Sequence, residues 1–412
     1  MNRRYLDVLM WGLFILAFVA GPLRFKIPFF AGGTLLLCWF YLLLNLQRFK
    51  IVLLLYPFFF VISILLIYLL KSDFSGVGIL WQVALVPVTA MGFFMLFLQR
   101  GDYATCNMSM WLGVAILLPF IFATLIAETG ASRTLSGNAR TFSEIAAAYQ
   151  NRMRGVLDYG AIHSFPFLSF ALFARYKQRQ SLLSKFTFGF LCLLFVLVVC
   201  KSVFFAAIVV TFACLIMANT NARNIKIAVL GIILGTGLLY YLWVSGTIVA
   251  LLNAVVNNLP GQLNADIVST KVKQVTDYFF ESKGFEGREL RYDASLNGFK
   301  NNFLIGGVSE HEYGGHSFIL DILGNFGLCG FVAYLVYFSR LLRFIFRCIP
   351  PHLKINMCIM IVGFVFLGII KNLAVNIEAV VLFGWAPLMY LWGRDDFKSA
   401  VFNYNRWFAI NG

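Results

Sequence analysis

Apolar runs of roughly 17 to 25 residues, long enough to cross a bilayer as a helix, recur along almost the whole chain. They lie near 6–22, 27–46, 51–70, 77–98, 108–127, 156–174, 186–200, 203–219, 227–250, 317–338, 355–373 and 377–392, which makes twelve. The seventh and eighth are short and are separated only by Lys201-Ser202. A transmembrane barrel would show ten-residue segments of alternating polarity instead, so the spans are expected to be helices. With 60% hydrophobic and 12% charged residues among 412, no soluble domain could hide the apolar surface. The fold class expected is therefore an all-α polytopic membrane protein, one integral domain over 1–412, with about twelve spans. The first run follows Arg3-Arg4 without a convincing small-residue cleavage site, so it is expected to be an anchor rather than a removable signal.

Basic residues in the short loops set the orientation. Arg48 and Lys50, Arg175 to Lys185, Arg223 and Lys226, and Arg340 to Lys354 all fall on the side of both ends of the chain, which is expected to be cytoplasmic. The two ends read as short tails. Two longer loops, 128–155 and 251–316, then face outward, the second lying between the ninth and tenth spans. These loops hold ten of the 33 basic residues: Arg133, Arg140, Arg152 and Arg154 in one, and Lys271, Lys273, Lys283, Arg288, Arg291 and Lys300 in the other. Long loops translocate regardless of charge, so topology permits this cluster without explaining it. A solvated surface would account for any single arginine. A phosphate-bearing ligand accounts better for the set.

Within the 251–316 loop, Val268, Val272, Val275 and Phe279 recur at helical spacing and predict an amphipathic helix on the outer leaflet. A second short helix is predicted over about 288–300. Arg288 and Arg291 are three apart and share one face of it, with Tyr292, Leu296 and Phe299 as an adjoining apolar stripe. Two guanidinium forks on one face suit a diphosphate. His316 stands at the start of the tenth span, and Ser317 can cap that helix. The partial positive charge of a helix start disfavours imidazolium, and a neutral imidazole can take a proton from a hydroxyl. His316 could equally be a histidine that only finishes a helix end.

The stretch HEYGGH, 311–316, imitates a zinc-protease motif, but its histidines are five apart with two glycines between them. They cannot meet one metal from one helical face, and no metal is expected. The eight cysteines lie in spans or cytoplasmic loops and make no disulfide framework. In the first outer loop, Arg133 and Arg140 flank Ser136-Gly137-Asn138, a turn-rich stretch suited to a polar headgroup. Ionisable groups set against membrane spans mark further candidates: Lys201, Asp321 one turn below His316, Lys371, Glu378 and His163.

The order GRELRYDASLNGFKNNFLIGG, a His-Ser step and LDILGNFGLCGF resembles the O-antigen polymerase and ligase family of membrane glycosyltransferases. Asn302 to Gly307 stand where that family has an Asn-Pro-Leu phrase with glycines. His316, Ser317, Gly324, Gly327 and Gly330 stand where it opens and continues the next span. Arg133 with the Ser-Gly-Asn after it is similar to an earlier outer-loop motif. Topology carries the resemblance over the whole chain, and the motifs carry it over about 288–331 and 131–140. Where ligases often show Thr/Ser-Arg between the seventh and eighth spans, this chain has Lys201-Ser202, and its His-Ser step differs from the ligase His-Asn. The polymerase is therefore favoured.

The resemblance implies a bacterial inner-membrane enzyme with a periplasmic site, joining oligosaccharide repeat units carried on undecaprenyl pyrophosphate. Arg288 and Arg291 would neutralise the departing diphosphate and His316 would deprotonate the acceptor hydroxyl. Arg133, Arg140, Lys201, Tyr292, Lys300, Ser317 and Asp321 would contribute to substrate binding. It implies no cofactor. Its expected partners are the lipid-linked donor and acceptor, membrane lipid and a chain-length-regulating co-polymerase, with no nucleic acid. Two readings compete: a ligase passing the polymer to the lipid A core, and a non-enzymatic transporter of lipid-linked glycans. The absence of internal repeats weakens the transporter. A structural scaffold, with incidental arginines, is a further alternative.

Overall fold

The computed structural model describes residues 3–27, 29–46, 50–71, 77–127, 131, 142–178, 181–202, 205–219, 286–307, 317–370 and 377–411. Their regular structure is helical throughout, with no strand among the described residues. In chain order the helices are α1 (Arg3–Val19), α2 (Gly21–Lys26), α3 (Phe30–Asn45), α4 (Lys50–Lys71) and α5 (Val77–Arg100). Then come α6 (Tyr103–Ile126), α7 (Phe142–Met153), α8 (Tyr159–Gln178), α9 (Leu182–Ser202) and α10 (Phe205–Asn219). The last five are α11 (Glu286–Asn301), α12 (Phe318–Cys348), α13 (Lys354–Ile370), α14 (Ile377–Tyr390) and α15 (Arg394–Asn411).

Five of these elements contain segments long and apolar enough to cross a membrane: Val83–Arg100, Tyr103–Ile126, Leu182–Ser202, Phe318–Cys348 and Pro351–Ile369. Four shorter apolar helices accompany them: Phe30–Asn45, Leu55–Lys71, Ala207–Ala218 and Ile377–Tyr390. The apolar run at 227–250 and the amphipathic helix expected around Val268–Phe279 lie outside the described residues.

A helix apolar on every side belongs in the middle of a bundle, where each face meets protein. That is the place of α5 and α14, which pack on each other and are buried along most of their length. Their contact is close because Gly384 lets the backbones approach; a Cβ there would sit 2.7 Å from the Ala90 carbonyl oxygen. Gly113 on α6 does the same for the Trp385 ring. Within α14, Val381–Trp385 is a π-helical turn, one that shifts the register of the side chains that follow.

The ends of the helices gather at two opposite faces. At one, Asp7 of α1, 1% exposed, accepts from Arg100 Nε of α5 at 3.0 Å and from the Tyr41 hydroxyl of α3. Arg100 Nη2 also donates to Asn45 Oδ1 at 3.0 Å. Three helices are thus tied through one carboxylate. Asp7→Asn is expected to lower stability by about 2 kcal/mol, below the roughly 3–5 of a fully buried pair because Arg100 is 21% exposed. The check is a lower thermal midpoint of the detergent-purified protein.

Three expectations change. The tenth span does not stop at 338: α12 runs to Cys348, with a break at Gly327. The C-terminal tail is the helix α15, whose Phe397, Ala400 and Tyr404 are buried at i, i+3 and i+7, so its amphipathic face covers the bundle end. Asp396 secures it, accepting from Arg175 Nη1 of α8 at 2.6 Å and lying 3.0 Å from His352 Nε2. The segment 128–155, expected as an outer loop, holds a helix of its own, α7, followed by a turn in which the Leu157 amide donates to Thr124 Oγ1 at 2.9 Å.

Candidate functional site

At the other face, α11 lies against the first turns of α12. The segment was expected as a helix over 288–300 and forms one over Glu286–Asn301. Its seat is not the apolar stripe. Tyr292, Leu296 and Phe299 are half-buried, whereas Ser295 and Gly298 are buried. Ser295 Oγ donates to Asp321 Oδ1 of α12 at 3.0 Å. Directly beneath, Gly324 admits the α11 backbone, since a Cβ there would be 2.6 Å from the Ser295 carbonyl oxygen. A serine and the glycine opposite it let two backbones meet and leave Asp321 with a hydroxyl donor.

After α11 the chain turns through 302–307 and enters a gap in α12. Gly327 has φ 60° and ψ −161°, a conformation open essentially to glycine alone, and it interrupts the helical ladder. In an unbroken helix the carbonyls of residues 324 and 325 would accept from the amides of 328 and 329. Here each group finds another partner. Gly307 N donates to Gly324 O at 3.0 Å, Leu328 N to Phe303 O at 3.0 Å, and Cys329 N to Leu304 O at 3.0 Å. The Asn325 carbonyl accepts from Lys71 Nζ, which also donates to Gly307 O at 3.0 Å. Backbone groups inside a membrane protein must be satisfied internally. The 302–307 turn and the Lys71 ammonium meet that demand for both sides of the break. Gly306, at φ +77°, turns the chain where a Cβ would lie 2.6 Å from the Asn325 carbonyl carbon.

Ser317 caps α12 as the sequence predicts: its Oγ accepts from Leu320 N at 3.2 Å, and it is fully buried. The same hydroxyl donates to Gly368 O at 3.4 Å, joining α12 to the end of α13. Lys300 is exposed at the last turn of α11. Lys201 stands at the last turn of α9, which packs mainly on α8 and α6, so a different part of the bundle positions it. Arg288 and Arg291 lie one turn apart on the first half of α11, one turn and more before Ser295. His316, Arg133, Arg140 and Lys371 lie outside the described residues. Of the other ionisable groups in the spans, His163 and Glu378 are buried inside the bundle, on α8 and α14.

The structure therefore joins Ser295, Asn302 to Gly307, Ser317, Asp321 and the glycines 324 and 327 into one assembly, and adds Lys71. Sequence reasoning missed Lys71 because a lysine closing an apolar run reads as an interface anchor. Its partner Gly307 is 236 residues away. Asn325 was missed as well; its Nδ2 donates to the Asp321 carbonyl at 2.8 Å and steadies the turn just before the break. Lys71→Met is expected to cost about 1–2 kcal/mol, the lower part of the range for charged hydrogen bonds because Lys71 is only half-buried. Faster hydrogen exchange at the amides of 304–307 than in wild type checks this; unchanged protection there would contradict it.

Set against protein-family models and curated proteins, the chain matches none.

Proposed function

We propose that the protein is a surface-polysaccharide polymerase of the O-antigen type, joining repeat units carried on undecaprenyl pyrophosphate. The observation that carries this reading is the docking of α11 on α12 through Ser295 and Asp321. Ser295 is one turn past Arg291, and Asp321 is one turn past Ser317, which follows His316 directly in the chain. The bond between them draws together the helix of the two arginines and the start of the helix that His316 precedes. A diphosphate site and a general base have to be neighbours for a glycosyl transfer, and this packing supports their being so.

In the proposed reaction an acceptor sugar hydroxyl attacks the anomeric carbon of the donor glycan. Its proton passes to His316 as the new carbon–oxygen bond forms. The bond to the pyrophosphate breaks, and undecaprenyl pyrophosphate leaves with the electron pair. Arg288 and Arg291, with Arg133 and Arg140 from the first outer loop, neutralise the departing charge. Direct attack inverts the anomeric carbon. Tyr292, Lys300 and Asp321 line the approach, Ser317 fixes the start of α12 beneath it, and Lys201, from another part of the bundle, is assigned to substrate binding by the resemblance alone. The full membrane arrangement belongs to the proposal: twelve spans, both ends cytoplasmic and the α11–α12 face periplasmic. The alternation of helix direction supports it, since Asp7, Asn45, Arg100, Arg175 and Asp396 collect at one face and Lys71, Ser317 and Gly368 at the other. A co-polymerase that sets chain length is the expected protein partner.

The test is deletion of the gene in its own host, with lipopolysaccharide resolved on a gel. A core bearing a single repeat, with the ladder restored by the wild-type gene, is the expected result. A bare core with polymer accumulating on the polyprenyl carrier would assign the ligase reaction instead. An unchanged ladder would overturn both.

A further inference from the structure

Between α4 and α12, away from the α11 face, runs a groove of about 400 Å³. Its floor is the stacked pair Phe60 and Tyr337, with ring centroids 5.0 Å apart. Tyr56, Phe59 and Val336 make its rims, and Ala333 leaves room at one end. The two helices run antiparallel, so Tyr56 and Arg340 lie at the same end of the groove, and Ser63 and Ala333 at the other. The end with Arg340 is that of the positively charged α12 terminus, where Arg340, Arg343 and Arg347 follow at i, i+3 and i+7 along one face. Arg340 and Arg343 are exposed and make no ion pair with an acid among the described residues. An apolar channel about 10 Å long, at 1.5 Å per helical residue, thus ends at exposed guanidinium groups.

We propose that this groove is a binding site for an anionic phospholipid, one acyl chain lying over Phe60 and Tyr337 and its phosphate held by Arg340. Charge complementarity decides the occupant. A zwitterionic lipid could fill the apolar part but would offer the arginine no net negative charge, whereas basic pockets between membrane helices select anionic headgroups. The proposed donor is a different molecule at a different place. Arg340 is 23 residues beyond Ser317 along α12, roughly 35 Å by helical rise, too far for one phosphate to serve both. The lipid therefore acts as a structural partner that seals α4 against α12, the helix pair that Lys71 closes at the other end.

The experiment is native mass spectrometry of the full chain purified in detergent, titrated in parallel with phosphatidylglycerol and with phosphatidylcholine of the same acyl chains. Wild type is expected to retain the anionic lipid about fivefold better, the weight of one basic side chain at an anionic membrane surface. Arg340→Gln should bring the two lipids to parity, and Arg340→Lys should keep most of the preference. Ala333→Phe, which fills the channel, should weaken both lipids alike. Equal retention of both lipids by wild type would overturn the proposal, as would an undiminished preference in Arg340→Gln. Displacement of bound phosphatidylglycerol by an equal amount of polyprenyl phosphate would overturn it too, giving the groove to the substrate's tail. None of these outcomes depends on polymerase activity, so the site and the proposed function fail separately.

Discussion

His316→Ala is expected to remove the polymer ladder in the complemented deletion strain and to lower turnover of the purified protein by about 10²–10⁴, the usual weight of a general base. The histidine immediately precedes Ser317, whose hydroxyl closes the first turn of α12 and which is fully buried. The proposed role requires the neutral imidazole, the form that accepts a proton. The loss should fall on turnover, with the donor concentration for half-maximal rate little changed, because the base acts on the acceptor. Arg288→Ala and Arg291→Ala should differ, weakening donor engagement along with rate. Initial rates against concentration of a lipid-linked repeat unit separate the cases. A His316→Ala enzyme with wild-type turnover, at equal amounts in the membrane, would end the assignment of the base. Full function in all three variants would leave the arginines and histidine incidental and would favour a scaffold.

Gly327→Ala should be among the most damaging single methyl groups in the described structure. At φ 60° and ψ −161° an alanine pays conformational strain of about 1–3 kcal/mol. Its Cβ would also stand 2.5 Å from the Gly306 amide nitrogen and from the Leu304 carbonyl group. Those are backbone atoms, pinned by the hydrogen bonds that fill the break, so they cannot yield as a flexible side chain would. A loss of about 3 kcal/mol or more is expected, with the 302–307 turn expelled and the α11–α12 assembly loosened. Gly33→Ala on α3 is the matched control. A Cβ there meets nothing within 4 Å, and replacing a helical glycine by alanine should stabilise by up to about 1 kcal/mol. Thermal midpoints of the two variants should move in opposite directions. A Gly327→Ala protein that melts like wild type would mean that the break in α12 tolerates a side chain.

Much of this molecule follows from its sequence. Long apolar runs dictate helices, because a chain surrounded by lipid has to satisfy its own amides and carbonyls. The helix carrying Arg288 and Arg291 could be read from spacing, and the Ser317 cap from residue type, since both depend on neighbours within one or two turns. The α15 helix was equally available, its buried face written at i, i+3 and i+7; it was overlooked because Arg394, Asp395, Asp396 and Lys398 gave the segment the look of a polar tail.

Other features depended on contacts between distant segments. The glycines 306, 324 and 327 are visible in the sequence, but their reasons are not: each makes room for a backbone brought there by the fold. That Ser295 rather than the apolar stripe seats α11 follows from the proximity Gly324 permits, which no periodicity encodes. Lys71 is the sharpest case. As a letter at the end of a hydrophobic run it means a charge reaching for the interface. In the structure it holds a carbonyl left open by a broken helix, 254 residues away, and a second carbonyl in the turn that fills the break. Local physics, acting through period, capping and solvent, determined the helices. The pairing of orphaned backbone groups across hundreds of residues could be decided only when those helices packed.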